Sequence, residues 1–113
     1  MNRTFHTPEP IELFVELGSG DIATRAVESD ETTVEITGPR AEGFAVDQSG
    51  NRVSVVAPKA RFGGFTFNDS HVVSVTLPRG SSLATKAGSA STTATGSYRV
   101  VKLRTGSGDV EIN

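Results

Sequence analysis

Apolar residues recur along this chain at every second position, and nowhere is a 3.6-residue period sustained. Ile11, Leu13, Val15 and Leu17 alternate with Glu12, Phe14 and Glu16, the pattern of a half-buried strand with one apolar exception. Gly18-Ser19-Gly20-Asp21 interrupts the run, and Ile22, Thr24 and Ala26 resume it. Glu28 to Glu31 reads as a charged turn. Thr32 to Thr37 follows as a strand with Val34 and Ile36 inward, ended by Gly38-Pro39. Phe44 to Gln48 and Arg52 to Ala57 form the two sides of a hairpin around Ser49-Gly50-Asn51. His71 to Leu77 is a further strand, turned by Pro78-Arg79-Gly80. Ahead of all of these, Pro8 and Pro10 predict an extended lead-in and exclude a helix there.

One phrase occurs three times. Leu13 to Asp21, Leu83 to Ser91 and Val101 to Asp109 align without a gap on their Gly-Ser pairs, the last two being eighteen residues apart. Each is a period-two run closed by small residues: Gly18, Gly20 and Asp21 in the first copy, Gly88 in the second, Gly106, Gly108 and Asp109 in the third. A strand-and-turn unit said repeatedly is what a chain writes when each unit covers the apolar face of the one before. The predicted fold is all-β, a β-solenoid-like stack of short strands with Gly-Ser-Gly-Asp corners, forming a single domain over residues 1–113. The predicted core is Ile11, Leu13, Val15, Leu17, Ile22, Val34, Ile36, Val53, Val55, Val73, Val75, Leu77, Leu83, Val101, Leu103, Val110 and Ile112.

Composition narrows the function more than it names it. Apolar residues make up 35% of the 113, below the usual globular share, which fits a thin core. A net charge of −2 gives no basic field to draw nucleic acid, so none is expected as a partner. With no cysteine there is neither a disulfide nor a thiolate metal site. No window approaches the roughly 20 apolar residues a spanning helix needs, and the first ten residues hold no signal-like apolar stretch. As written, the sequence predicts a cytoplasmic protein, and a surface one only if a leader or anchor has been removed.

Residues 58–70 depart from strand regularity. Lys59, Arg61, Phe62, Phe65 and Phe67 give this loop a basic, aromatic character and make it a candidate partner contact, against the plainer reading of a connection whose phenylalanines cap the core. The glycine-rich corners do not read as nucleotide loops, because a strand and not a helix follows them. They invite comparison with calcium-binding β-roll turns, yet the middle copy has Ser91 where the others have Asp21 and Asp109, and no nine-residue period is present. His6 and His71 have no ligand partner at i+2 or i+4 and read as surface residues. No serine sits in a Gly-x-Ser-x-Gly elbow. The sequence therefore predicts no catalytic residue, no cofactor, no metal site and no enzyme.

The opening Phe5-His6-Thr7-Pro8-Glu9-Pro10-Ile11, the strand entering Gly18-Ser19-Gly20-Asp21-Ile22, Val72 to Leu77 with its Leu77-Pro78-Arg79-Gly80-Ser81 turn, and Thr105-Gly106-Ser107-Gly108-Asp109-Val110 occur in one order along nearly the whole chain. In that order they resemble the bacterial putative-adhesin, or toastrack-like, β-strand-repeat family. The resemblance implies a solenoid-like stack and brings no catalytic residues. Gly88-Ser89-Ala90-Ser91 departs from it by lacking the second glycine and the aspartate. The chain stops at Asn113 straight after a strand, which makes it a short member or a shortened one. Its last rung is then an open β-edge, and the expected function is a non-enzymatic scaffold or interaction module that self-associates by edge pairing or end stacking. Two alternatives stand beside this: a carbohydrate-binding β-helix, which one tyrosine and no tryptophan argue against, and a calcium-stabilised repeat.

Overall fold

The computed structural model of the protein describes residues 1–38, 40–57, 71–106 and 110–112. Among them are nine strands and no α-helix: β1 (Asn2–His6), β2 (Glu12–Val27), β3 (Glu31–Thr37), β4 (Ala45–Ser49), β5 (Arg52–Val56), β6 (His71–Pro78), β7 (Ser81–Gly96), β8 (Tyr98–Thr105) and β9 (Val110–Ile112). A single 3-10 turn, Ala41–Gly43, sits between β3 and β4. The hairpin read from the sequence is present as antiparallel β4 and β5. The lead-in before Pro8 is itself a strand, β1, antiparallel to β3.

Two long strands organise the rest. β7 pairs in parallel with β2 from Glu12↔Ser82 to Ala26↔Gly96. On its other flank β2 pairs in parallel with β5 over Glu12–Glu16 and then with β6 over Gly20–Val27. β7 divides its outer flank in the same way, carrying β8 against Ser81–Ala87 and β9 against Thr92–Ala94. The sheet thus has two arms sharing β2 and β7, one with the order β4-β5-β2-β7-β8 and the other β1-β3-β6-β2-β7-β9. Both arms bury their inner faces in one core cluster, and the sheet is curled and barrel-like.

The Gly-Ser-Gly-Asp stretch has a different role from the one its sequence suggests. Gly18–Asp21 does not separate two strands; it lies inside β2, as Gly88–Ser91 lies inside β7. The ladder is held by Leu17↔Ala87 and Ser19↔Ser89 on either side of Gly18, so pairing continues and only the buried face changes. Leu13, Val15 and Leu17 point inward before it, Ile22, Thr24 and Ala26 after it. β7 repeats the switch, from Leu83, Thr85 and Ala87 to Ala90, Thr92 and Ala94. A one-residue change of phase moves every side chain to the opposite face, which lets one strand serve both arms.

The core is built from the alternation expected, with two corrections at its rim. Ile11, Leu13, Val15, Leu17, Ile22, Val34, Ile36, Val53, Val55, Val73, Val75, Leu77 and Leu83 are buried. Val101 and Leu103 are only half-buried, while Val110 and Ile112 are 43% and 55% exposed, because β8 and β9 are outermost and nothing among the described residues covers them. Ala87, Ala90 and Ala94 of β7, absent from the predicted core, are also buried in it. His71, expected at the surface, is buried. It packs edge-on against Phe44 at 5.0 Å, and its Nε2 accepts the Arg40 backbone N–H at 3.1 Å.

Candidate interaction edge

An edge strand leaves one row of backbone donors and acceptors without a sheet partner, so edges are where a β-protein meets other chains. Among the described residues four strands have one neighbour each. β1 pairs only with β3 and β4 only with β5, on one flank; β8 and β9 pair only with β7, on the other. The chain leaves β5 at Ala57 and re-enters at β6, both on the flank of β2 away from β7.

The β8–β9 flank gathers exposed apolar side chains. Val100 on β8 and Val110 and Ile112 on β9 are three of the four exposed large hydrophobic residues among those described; the fourth is Val72 on β6. Beside Val100, and away from β9, a shallow depression of about 500 Å³ over the start of the first arm is bordered by Phe14, Arg52, Ala84, Arg99 and Lys102 among others. β8 is also strongly one-signed, with Arg99, Lys102 and Arg104 and no carboxylate.

Two devices hold this flank in place. Ser81, fully buried at the start of β7, donates its hydroxyl hydrogen to the Pro78 carbonyl at 2.7 Å and accepts the Ile11 N–H at 2.9 Å. At the start of β8, the Tyr98 hydroxyl meets Thr24 Oγ1 at 2.7 Å, tying β8 to β2 across the intervening β7. Burial pushes the Tyr98 phenol above its ordinary value of 10.0, outweighing hydrogen bonds from Thr24 and from the backbone at Thr95 and Ala26 that pull it down.

The three repeat copies meet as neighbours, which is the firmest link between sequence and site. Leu17 is opposite Ala87 and Ala87 opposite Thr105, so Gly18, Gly88 and Gly106 form a column across β2, β7 and the end of β8. A β-carbon on Gly88 would stand 2.7 Å from the Gly18 carbonyl oxygen, and one on Gly106 2.9 Å from that of Gly88. Gly20 has φ 124° and lies against the His71 backbone, whereas Asp21 is exposed. Gly108 and Asp109 lie outside the described residues, as do Lys59, Arg61, Phe62, Phe65 and Phe67 of the loop singled out as a contact. Among the described residues no three His, Cys, Asp or Glu side chains come together. Sequence reasoning did not select the β8 cations or Tyr98. The available signal was a strand with charges of one sign beside the chain's single tyrosine.

No protein-family model matches the sequence, and no curated protein matches it. Solved structures do share the fold. A putative cell adhesion protein from Clostridium sporogenes superposes with a TM-score of 0.67 at 12% identity, covering 99% of this chain and 60% of that one. Putative adhesins from Parabacteroides distasonis and Parabacteroides merdae give TM-scores of 0.55 and 0.52, each at 14% identity over the whole of this chain. The chain spans 56% and 55% of those two proteins.

Proposed function

We propose that this chain is a non-enzymatic, adhesin-like interaction module that takes on a further β-repeat rung at its β8–β9 edge. Association is with its own kind, by edge pairing or end stacking, so that rungs add as they do in a solenoid. The observation that carries the reading is the exposure of Val110 and Ile112, opposite buried Thr92 and Ala94 on a flank with one strand partner. In-register parallel stacking of the three repeat copies supports it, since the chain already extends itself by this step twice. The names of the solved proteins that share the fold support the adhesin-like part of the reading alone.

Light scattering over a concentration series tests it, on the protein and on a Val110→Lys, Ile112→Lys double variant. The side chains replaced are exposed, so the variant should keep its melting temperature within a few degrees. A concentration-dependent oligomer that the variant loses is the expected result. A monomer at every concentration, or an oligomer indifferent to the substitutions, overturns the reading.

A further inference from the structure

Phe14 is the apolar exception on the outer face of the first half of β2, between Glu12 and Glu16, and it is half-buried there. Register shows what surrounds it. Phe14 is opposite Ser54 on β5 and Ala84 on β7, and Ala84 is opposite Lys102 on β8. In the neighbouring row Glu12 lies between Arg52 and Ser82, with Val100 beyond. Short side chains at Ser82 and Ala84 leave the sheet low between the Phe14 ring and β8, and this is the depression of about 500 Å³.

Two cations stand on its β8 side. β7 pairs Ser81 with Tyr98 and then Ser82 with Val100, so Arg99 is an extra residue in β8, and both Arg99 and Val100 are exposed. Such a bulge re-aims a side chain out of the regular alternation. It brings Arg99 to the border of the depression together with Lys102. The Ser81 and Tyr98 hydrogen bonds fix the strands on either side of it. The acids of this face already have partners, Glu12 at 4.0 Å from Arg52 and Glu16 at 4.0 Å from Lys86. Among the described residues no carboxylate pairs with Arg99 or Lys102. The depression thus holds an aromatic ring and two unmatched cations two strand spacings away, about 10 Å.

These features select a chemistry. Arg99 and Lys102 suit a carboxylate, and the Phe14 ring suits the flat C–H face of a sugar. A peptide fits less well. β5, β2 and β7 are each paired on both flanks here, so a peptide laid across them finds no backbone partner for its own N–H and C=O groups. A sugar carries its polar groups around the rim of its ring and has no such requirement. One tyrosine and no tryptophan spoke against sugar binding, yet a single ring serves one sugar of a chain, and the fold supplies it as Phe14. We infer that this depression binds an acidic oligosaccharide, one sugar resting on Phe14 and the carboxylate of a neighbouring uronate held by Arg99 and Lys102. The site lies on the outer face and leaves the backbone edge of β8 free, so it does not depend on self-association.

The test is calorimetric titration of the full protein with tetragalacturonate at low salt. Saturable binding is expected, weakened at least about tenfold by Arg99→Ser combined with Lys102→Ser, and at least about threefold by Phe14→Leu, which stays apolar and removes the ring. Arg99→Glu, at an exposed position, should also weaken it and leaves the packing of Phe14 untouched. The neutral galactose tetramer of the same linkage and a tetraglutamate peptide should each bind at least about tenfold more weakly than the uronate. Four results overturn the proposal: no saturable binding of the uronate up to about 1 mM, binding indifferent to the Arg99 and Lys102 changes, equal binding of the neutral sugar, or equal binding of tetraglutamate. The last would make the depression a site for acidic peptides.

Discussion

The Gly18 carbonyl oxygen lies 2.7 Å from the point where a β-carbon on Gly88 would stand, whereas a β-carbon on Gly18 would have no atom within 4 Å. The same Gly-Ser motif is therefore obligatory in one copy and permissive in another, and the difference lies only in which strand follows which.

Gly88→Ala should cost about 2 kcal/mol or more, because the added methyl must push two backbones apart in the middle of the β2–β7 ladder. Gly18→Ala should cost under about 1 kcal/mol. Urea melts of the two variants decide this, and equal losses would show that the column is not tightly stacked.

The Thr24–Tyr98 hydrogen bond gives a second test. Tyr98→Phe should cost about 1 kcal/mol, since it leaves the buried Thr24 hydroxyl without that partner. The folded protein holds the phenol proton more tightly than the unfolded chain, whose value is near 10.0. Above pH 10.0 the unfolded state therefore loses its proton first, and stability falls as pH rises until the raised folded value is passed. With one tyrosine and no tryptophan, phenolate absorbance reports this group alone. Its midpoint should lie above 10.0 in the native protein and return toward that value in denaturant. Coincident midpoints would mean that Tyr98 is not held as described.

Leu83 on β7 and Leu103 on β8, the latter opposite Thr85, share the inner face of the first arm, one buried and one half-buried. Leu83→Ala should cost about 2–5 kcal/mol and Leu103→Ala about 1 kcal/mol, as a half-exposed site loses less burial and leaves no closed cavity. A large loss at Leu103 in concentrated protein that disappears on dilution would mean that an added strand completes its burial.

Period two was enough to identify β3, β5 and β6 and the inward-facing residues Leu13, Val15, Val34, Val53 and Val73, because a strand with one wet face writes its burial directly into its sequence. The gapless alignment of the three copies coincides with the observed register, Leu13 opposite Leu83 and Leu83 opposite Val101. Tertiary structure alone decided what those pairs do. Glycine permits a corner, but β7 continues the ladder through Gly18–Asp21 while the other flank passes from β5 to β6, which leaves a change of face and of partner within one strand. Exposure at Val110 and Ile112 was equally out of reach, since the alternation is the same whether a further strand covers it or not. His71 shows the limit from the other side. A histidine with no sequence-local partner reads as surface, and only the fold brings it beneath Phe44 with the Arg40 amide as its donor. Sequence determined the local period and the repeat; position within the stack, which depends on contacts far apart in the chain, determined burial, edge and site.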